Sequence, residues 1–110
     1  MSYFVAKRET NTDLTGSYFS YVLLNSKNGC TNGCVCGISS YSCLEYPKFD
    51  MHNDQEGFIV LSGEGYAKVG EEEGMLRPGV SFIVPANTLH AIRSIHTDIP
   101  VEVFWFHAAI

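Results

Sequence analysis

One stretch of this chain carries histidine and carboxylate side chains at a spacing that suits a metal ion. His52 and Glu56 lie four residues apart, where a polar loop gives way to an apolar run. His90 follows Pro85 and Asn87, where a second apolar run ends and the chain reverses. Two imidazoles and one carboxylate on one face of a metal, with positions left open, form the ligand set of many non-haem iron enzymes. The spacing therefore indicates a site for a divalent metal.

Four cysteines form a second cluster with the spacing C-x3-C-x-C-x6-C: Cys30, Cys34, Cys36 and Cys43. This spacing lacks the paired C-x2-C knuckles of zinc ribbons. If the chain from Val35 to Tyr46 is one strand, Cys34 and Cys36 share a face and Cys43 points to the other. A site using all four thiols would then need a bulge or a break. Ordinary reduced cysteines are favoured, and a redox role, a metal role or a disulfide stays open.

Short β-strands must position these residues. Beta-branched and aromatic residues occur in short runs separated by Gly, Asn, Pro and charged clusters, with no sustained helical period. Strands are predicted at Tyr18 to Leu24, Val35 to Tyr46, Glu56 to Leu61, Gly65 to Val69, Val80 to Val84, His90 to Ile95 and Val101 to His107, with a further one at Tyr3 to Lys7. The stretch from Gly70 to Gly74 is predicted as a polar hairpin tip, with Glu71 to Glu73 in solvent. This pattern predicts an all-β sandwich or barrel.

Composition limits the classes of partner. A length of 110 residues suits one domain spanning residues 1–110, and 45% hydrophobic residues supply its core. Seven Lys+Arg against 12 Asp+Glu give a net charge of −5, which opposes direct contact with nucleic acid or an anionic membrane. The N-terminal residues do not resemble a signal peptide, and no apolar run reaches the roughly 20 residues of a membrane span. We therefore expect a cytoplasmic protein.

The last predicted strand is apolar on both faces after Glu102. A strand with one face in water would alternate apolar with polar residues. This pattern favours a homodimer in which one face meets a second subunit, although a neighbouring loop would also account for it.

Two segments resemble the sequence motifs of the cupin superfamily, G-x5-H-x-H-x3,4-E-x6-G and G-x5-P-x-G-x2-H-x3-N. The first segment, at about residues 50–63, matches through His52, Glu56 and Gly63; the second, at about 79–94, matches through Gly79, Pro85 and His90. The resemblance implies a small single-domain cupin with the double-stranded β-helix, or jelly-roll, barrel. It also implies a divalent transition metal such as Mn, Fe, Ni or Zn, whose identity the ligands do not decide.

The departures from these motifs concern the ligand set. Aligned from Glu56, the first motif histidine falls on Asp50 and its opening glycine on Leu44, while the second motif has Asn87 for glycine and Ser94 for asparagine. Asn tolerates the left-handed backbone of such a turn. Asp50 either serves as a fourth ligand or points to solvent and leaves His52, Glu56 and His90. Alternatively, the two histidines only line the pocket as hydrogen-bonded polar residues.

Strand alternation predicts a mostly apolar pocket beside this site. The candidate lining residues are Phe58 and Val60, Ile92 and Ser94, and, from neighbouring strands, Tyr41, Cys43, Tyr66, Phe104 and Phe106. The only cationic residues near these positions in the sequence are Lys68 and Arg93, and Arg93 should face away from His90. A modest organic ligand is therefore favoured over a phosphorylated sugar. His96 and His107, outside both motifs, are expected at the surface or an interface.

Two functions follow from the resemblance, and a third from the cysteines. The first is a metal-dependent enzyme of the dioxygenase, isomerase, lyase or decarboxylase type, with Tyr66 or Asp50 as a general base. The second is a small-molecule-binding or sensing barrel without metal, because the segments Asn53 to Gly65 and Leu76 to Ile92 also resemble the ligand-sensing barrel of AraC-type regulators. The third is a thiol-based redox or metal-handling protein.

Overall fold

A computed structural model describes residues 2–7, 12–15 and 18–110 of the chain. Within these residues it contains a 3-10 turn at Ser26–Asn28 and nine strands: β1 (Thr12–Thr15), β2 (Tyr18–Leu24), β3 (Val35–Tyr41), β4 (Glu56–Ser62), β5 (Gly65–Val69), β6 (Glu72–Leu76), β7 (Ser81–Val84), β8 (His90–Ser94) and β9 (Val101–His107).

The strands form two antiparallel sheets. The larger sheet has the order β1-β2-β3-β9-β4-β7, and the smaller has the order β6-β5-β8. The apolar core lies between them, with Val60, Val101 and Val103 from the larger sheet and Leu76 from the smaller one almost fully buried. This arrangement is the jelly-roll barrel that the resemblance implies, and the fold is all-β as predicted.

Most of the predicted strands are confirmed. The ranges Tyr18–Leu24, Gly65–Val69 and Val101–His107 agree in full, and the strands beginning near Glu56, Val80 and His90 differ by one residue at one end. The prediction of a strand at Tyr3 to Lys7 is wrong, since none of those residues lies in a strand and the Tyr3 side chain is exposed. Strand β1 is not predicted by the sequence pattern.

Two corrections concern the ends of strands. The strand predicted over Val35 to Tyr46 ends at Tyr41, because the chain then leaves the larger sheet and crosses to β8, where the Ser94 N–H donates to the Cys43 carbonyl at 2.7 Å. The predicted hairpin tip from Gly70 to Gly74 is shorter than expected. Gly70 has φ of 59°, so a reversal at residues 70–71 suffices and β6 pairs with β5 from Glu72 onward.

Among the described residues, no helix is long and apolar enough to cross a membrane.

Candidate metal centre

Backbone hydrogen bonds hold the two motif segments against each other. Asp50 and His90 exchange two of them, from Asp50 N to His90 O at 3.0 Å and from His90 N to Asp50 O at 2.9 Å. Two residues further along, the Asn87 N–H donates to the His52 carbonyl at 2.6 Å. Asn87 has φ of 58°, the left-handed conformation that the sequence analysis expected of it. The positions of His52 and His90 are therefore coupled through the main chain.

Glu56 lies at the centre of the candidate site, because its Oε1 faces two imidazoles. Oε1 is 3.5 Å from Nε2 of His52 and 3.4 Å from Nε2 of His90. The three residues offer donor atoms that all lie within 4.8 Å of one another. Two donors bound to one ion at about 2.1 Å with a tetrahedral angle are about 3.4 Å apart. The distances from Glu56 Oε1 to the two imidazole nitrogens therefore fit a shared first-row divalent metal.

The environment of His90 aims one of its ring nitrogens at the site. Nδ1 lies 3.1 Å from the carbonyl oxygen of Thr88, which only accepts hydrogen bonds, so Nδ1 carries the proton and donates it. Nε2 is then directed at Glu56. Burial lowers the pKa of His90, but the Glu56 hydrogen bond, the Thr88 carbonyl and the charges of Glu56 and Asp50 together raise it above the ordinary value of 6.5.

Asp50 lies at the rim of the same cavity. Its side chain is exposed, while Glu56 and His90 are only 7% and 8% exposed. The compact group of donor atoms consists of His52, Glu56 and His90. The main chain of Asp50 has a clear structural role, because its bridge to His90 connects the first motif segment to the start of β8.

The prediction that His107 lies at the surface or an interface is wrong. Its side chain is 16% exposed and lines the cavity. Nε2 lies 3.3 Å from Oε2 of Glu56, and Nδ1 lies 3.0 Å from Oδ2 of Asp54. His96 does lie at the surface as expected, with a 41% exposed side chain that pairs with Glu64 at 3.2 Å.

The cavity between the sheets has a volume of about 180 Å³. Its walls include Tyr41, Phe58 and Ile92, as predicted. Val60 and Ser94 are buried in the core, and Ser94 donates to backbone carbonyls. The other four candidates lie elsewhere, because the register turns them away: Cys43 bonds to the Ile92 carbonyl, Tyr66 stacks on Arg93, and Phe104 and Phe106 lie on the outer face of the larger sheet. Tyr66 is therefore not placed to act as a general base there.

Two residues with hydrogen-bond donors that were not singled out from the sequence, Tyr18 and Trp105, also line the cavity. Tyr18 stacks on Tyr41 with ring centroids 4.6 Å apart, and burial raises the pKa of both phenols, so they remain protonated at neutral pH. Within the described part of the chain, the buried Trp105 Nε1 has no hydrogen-bond partner. The Trp105 ring packs directly on Gly37, where a Cβ would lie 2.5 Å from Cζ2.

The cation nearest the cavity is not one that the sequence analysis named. Lys48 lines the cavity, from the segment that crosses between the sheets. Arg93 faces away from His90, as expected, and its guanidinium lies over the rings of Tyr46 and Tyr66. One exposed lysine is weak support for a phosphate site.

The four cysteines are free and lie apart from the histidine site. Burial and a hydrogen bond with the Cys34 thiol raise the pKa of Cys30, and burial raises the pKa of Cys36 and Cys43. Raised pKa values reduce the thiolate fraction, which is the form that binds metals and attacks disulfides. This chemistry favours ordinary reduced thiols.

Comparison with known families agrees with the fold. The model of the cupin domain family matches residues 45–107, and the chain belongs to this family. A comparison with curated protein sequences finds no significant match.

Several solved structures share the fold at low sequence identity. An RmlC-like cupin from Shewanella frigidimarina superposes with a TM-score of 0.80 at 16% identity, covering 100% of this chain and 93% of that one. Hydroxypropylphosphonic acid epoxidase from S. wedmorenis gives 0.82 at 18%, covering 96% of this chain and 58% of the epoxidase. The polyketide cyclase RemF from Streptomyces resistomycificus gives 0.81 at 12%, covering 97% and 79%. Identities this low show a common fold.

Proposed function

We propose that this protein is a small single-domain cupin, spanning residues 1–110, that holds one divalent transition metal and acts on a small organic molecule in the adjoining cavity. His52, Glu56 and His90 are the proposed ligands. The convergence of their donor atoms within 4.8 Å, around a buried carboxylate, carries the proposal. A bound metal would polarise a coordinated oxygen of the ligand or activate water or dioxygen.

The surrounding residues perform the other tasks of such a site. Thr88 fixes the tautomer of His90 and thereby the direction of Nε2. Phe58 and Ile92 exclude water from the inner wall, where both are at most 5% exposed. Tyr18 and Tyr41 present hydroxyl groups to the cavity and can donate to ligand oxygens. A cavity of about 180 Å³ holds a compact ligand rather than an extended one.

The metal would be one that accepts two imidazoles and a carboxylate, which includes Mn, Fe, Ni and Zn. A solved structure of the epoxidase HppE, which is 19% identical to this chain with a TM-score of 0.79, is an Fe(II) form. This neighbour makes iron the first metal to try. The enzyme type that we propose, a dioxygenase, isomerase or lyase, comes from the resemblance to cupins.

Elemental analysis of the purified protein tests the proposal. We expect about one transition metal per chain in the wild type, and loss of nearly all of it in His52→Ala and His90→Ala. His96→Ala is the matched control, because it removes a histidine that also pairs with a carboxylate but lies outside the cavity. Retention of the metal in both site variants, with its loss on alkylation of the thiols, would move the site to the cysteines.

A fourth ligand at Asp50 remains a prediction. Measuring the metal content and metal affinity of an Asp50 variant tests it. If its carboxylate binds the ion, Asp50→Asn lowers the metal affinity as a ligand variant does. If Asp50 acts only through its backbone bridge to His90, Asp50→Asn leaves the affinity unchanged, because the substitution keeps the main chain.

A binding or sensing barrel without metal is the second candidate. The observation that supports it is that the Glu56 carboxylate already has imidazole partners. The two oxygens of Glu56 already face imidazole nitrogens of His90 and His107 at 3.4 and 3.3 Å. A buried carboxylate with such partners does not need an ion for its stability. Wild-type protein that is free of metal, with unchanged stability after metal is added, would support this candidate over the first.

We further propose a homodimer formed through the outer face of the larger sheet. Ile38, Phe104 and Ile59 lie side by side there on β3, β9 and β4. Ile59 and the nearby Ile83 are 40% and 51% exposed. A twofold dimer would pack this apolar row against its own copy, and large exposed apolar patches commonly mark interfaces.

The four free thiols agree with a reducing compartment such as the cytoplasm.

A further inference from the structure

Two residues outside the proposed ligand set, Asp54 and His107, form a hydrogen-bonded pair next to Glu56. Nδ1 of His107 lies 3.1 Å from Oδ1 and 3.0 Å from Oδ2 of Asp54. On the other side of the same ring, Nε2 lies 3.3 Å from Oε2 of Glu56. The side chains of Asp54 and His107 are only 15% and 16% exposed. The imidazole therefore connects two carboxylates in a sheltered position.

The register of the larger sheet enforces this contact. Glu56 and His107 are direct partners across β4 and β9, and both side chains point to the inner face. The Ala108 N–H donates to the Gln55 carbonyl at 3.1 Å, which continues the pairing beyond the strand ends. Edge contacts with Trp105 and His52, at ring centroid distances of 5.7 and 5.1 Å, restrict the imidazole further.

The two oxygens of Glu56 consequently have different partners. Oε2 faces His107, whereas Oε1 faces His52 and His90. A carboxylate held through one oxygen can rotate less, so it presents the other oxygen in a fixed direction. Groups that orient a metal ligand in this way typically change metal affinity 10- to 100-fold when they are removed, although they do not touch the metal.

We infer that Asp54 and His107 form a positioning pair that holds Oε2 of Glu56 and so directs Oε1 at the metal. The inference rests on the proposed metal function, and it adds two residues with a defined role. His107 is a positioning residue and not a ligand, because the compact donor group comprises His52, Glu56 and His90. Asp54 acts one step further out, by fixing the ring through Nδ1.

The test uses Cu²⁺ as the probe, with two readouts on each protein. The dissociation constant is measured by competition with a chelator, and the number of coordinated imidazoles by electron spin echo envelope modulation. We expect two imidazoles in the wild type and in His107→Leu, with binding weakened roughly 10- to 100-fold in the variant. His107→Gln keeps an N–H that can donate to Oε2, so its affinity should lie between the two. Asp54→Asn should weaken binding in the same direction.

The control is His96→Leu, which makes the same substitution in a surface histidine–carboxylate pair and should bind like the wild type. Unchanged affinity in both His107 variants overturns the inference and leaves the metal proposal intact. Loss of one imidazole signal in His107→Leu overturns it as well, since His107 would then be a ligand. Wild-type protein that binds no metal overturns the proposed function and the inference together. If His107→Leu fails to fold, His107→Gln and Asp54→Asn decide the question.

Discussion

Glu56 is the residue on which the site depends, since three histidines from three parts of the chain face its two oxygens. Two of them, His52 and His90, are predictable from spacing along the chain, because each adjoins an apolar run that becomes a strand. His107 is not part of either motif, and only the pairing of β4 with β9 brings it to Glu56. The inward position of His107 could have been predicted from the alternation of β9, because Val101, Val103 and Trp105 face inward and His107 lies on the same face.

The raised pKa of His90 predicts how pH affects the stability of the metal-free protein. A group whose pKa is higher in the folded state contributes stability below its unfolded pKa, and the contribution is lost as pH rises through the folded value. The folded pKa lies above 6.5. We therefore expect chelator-treated wild type to lose stability relative to His90→Gln as the pH rises past 6.5.

Denaturant unfolding at several pH values measures this difference, and comparison with His90→Gln removes the contributions of the other titrating groups. A wild-type advantage that grows with pH across this window would contradict the account, because it would mean that burial dominates and that the pKa of His90 is lowered.

At the scale of elements, the reversal between β7 and β8 sets the distance between the two motif segments. Asn87 has φ of 58°, and its N–H holds the carbonyl of His52. We expect Asn87→Gly to be nearly neutral in stability, since glycine adopts this conformation without strain. Asn87→Val should cost about 1–2 kcal/mol of unfolding free energy and weaken metal binding together with it.

Thermal or denaturant unfolding of the two variants, paired with a metal titration, checks this prediction. Thr88→Val is a useful comparison, because it introduces the same β-branched residue next door, where φ is not left-handed. Equal stability of Asn87→Gly and Asn87→Val would show that the turn does not constrain the site.

The segments that the sequence analysis missed have weak local patterns. β6 carries Glu72 and Glu73 on an exposed edge and resembles a turn, although it is held by pairing with β5 and by the Tyr46 hydroxyl, which donates to Glu73 at 2.6 Å. The strand predicted to Tyr46 ends early because the chain leaves the larger sheet, and Cys43 is hydrogen-bonded to Ser94 of β8 in the other sheet. Both outcomes depend on partners far away in the chain, which local propensity does not encode.

At the scale of the molecule, short β-branched and aromatic runs separated by turns were enough to predict an all-β sandwich or barrel, and the resemblance to cupins selected the barrel. Which side chains enter the cavity was predicted less completely, because facing positions depend on register. Tyr41 and Phe58 were predicted correctly, whereas Trp105 and Lys48 reach the cavity only through the pairing of β9 and the crossing segment.

The outer face of the larger sheet yields a prediction about assembly. If two chains pack through the row formed by Ile38, Phe104 and Ile59, Ile59→Glu should weaken the dimer at least about tenfold, because it places a charge in an apolar interface. Ile99→Glu is the matched control, since Ile99 is 50% exposed and lies in the loop before β9. Sedimentation velocity over a range of concentrations measures the effect, and a wild type that stays monomeric throughout would rule out the dimer.

Anomalous diffraction from metal-soaked crystals would locate an ion bound between His52, Glu56 and His90. We expect a single strong anomalous peak at about 2.0–2.3 Å from Nε2 of His52, Nε2 of His90 and Oε1 of Glu56. Oε2 of Glu56 should remain against His107 in that structure. A peak at the cysteines, or no peak at a saturating metal concentration, would contradict the proposed metal site.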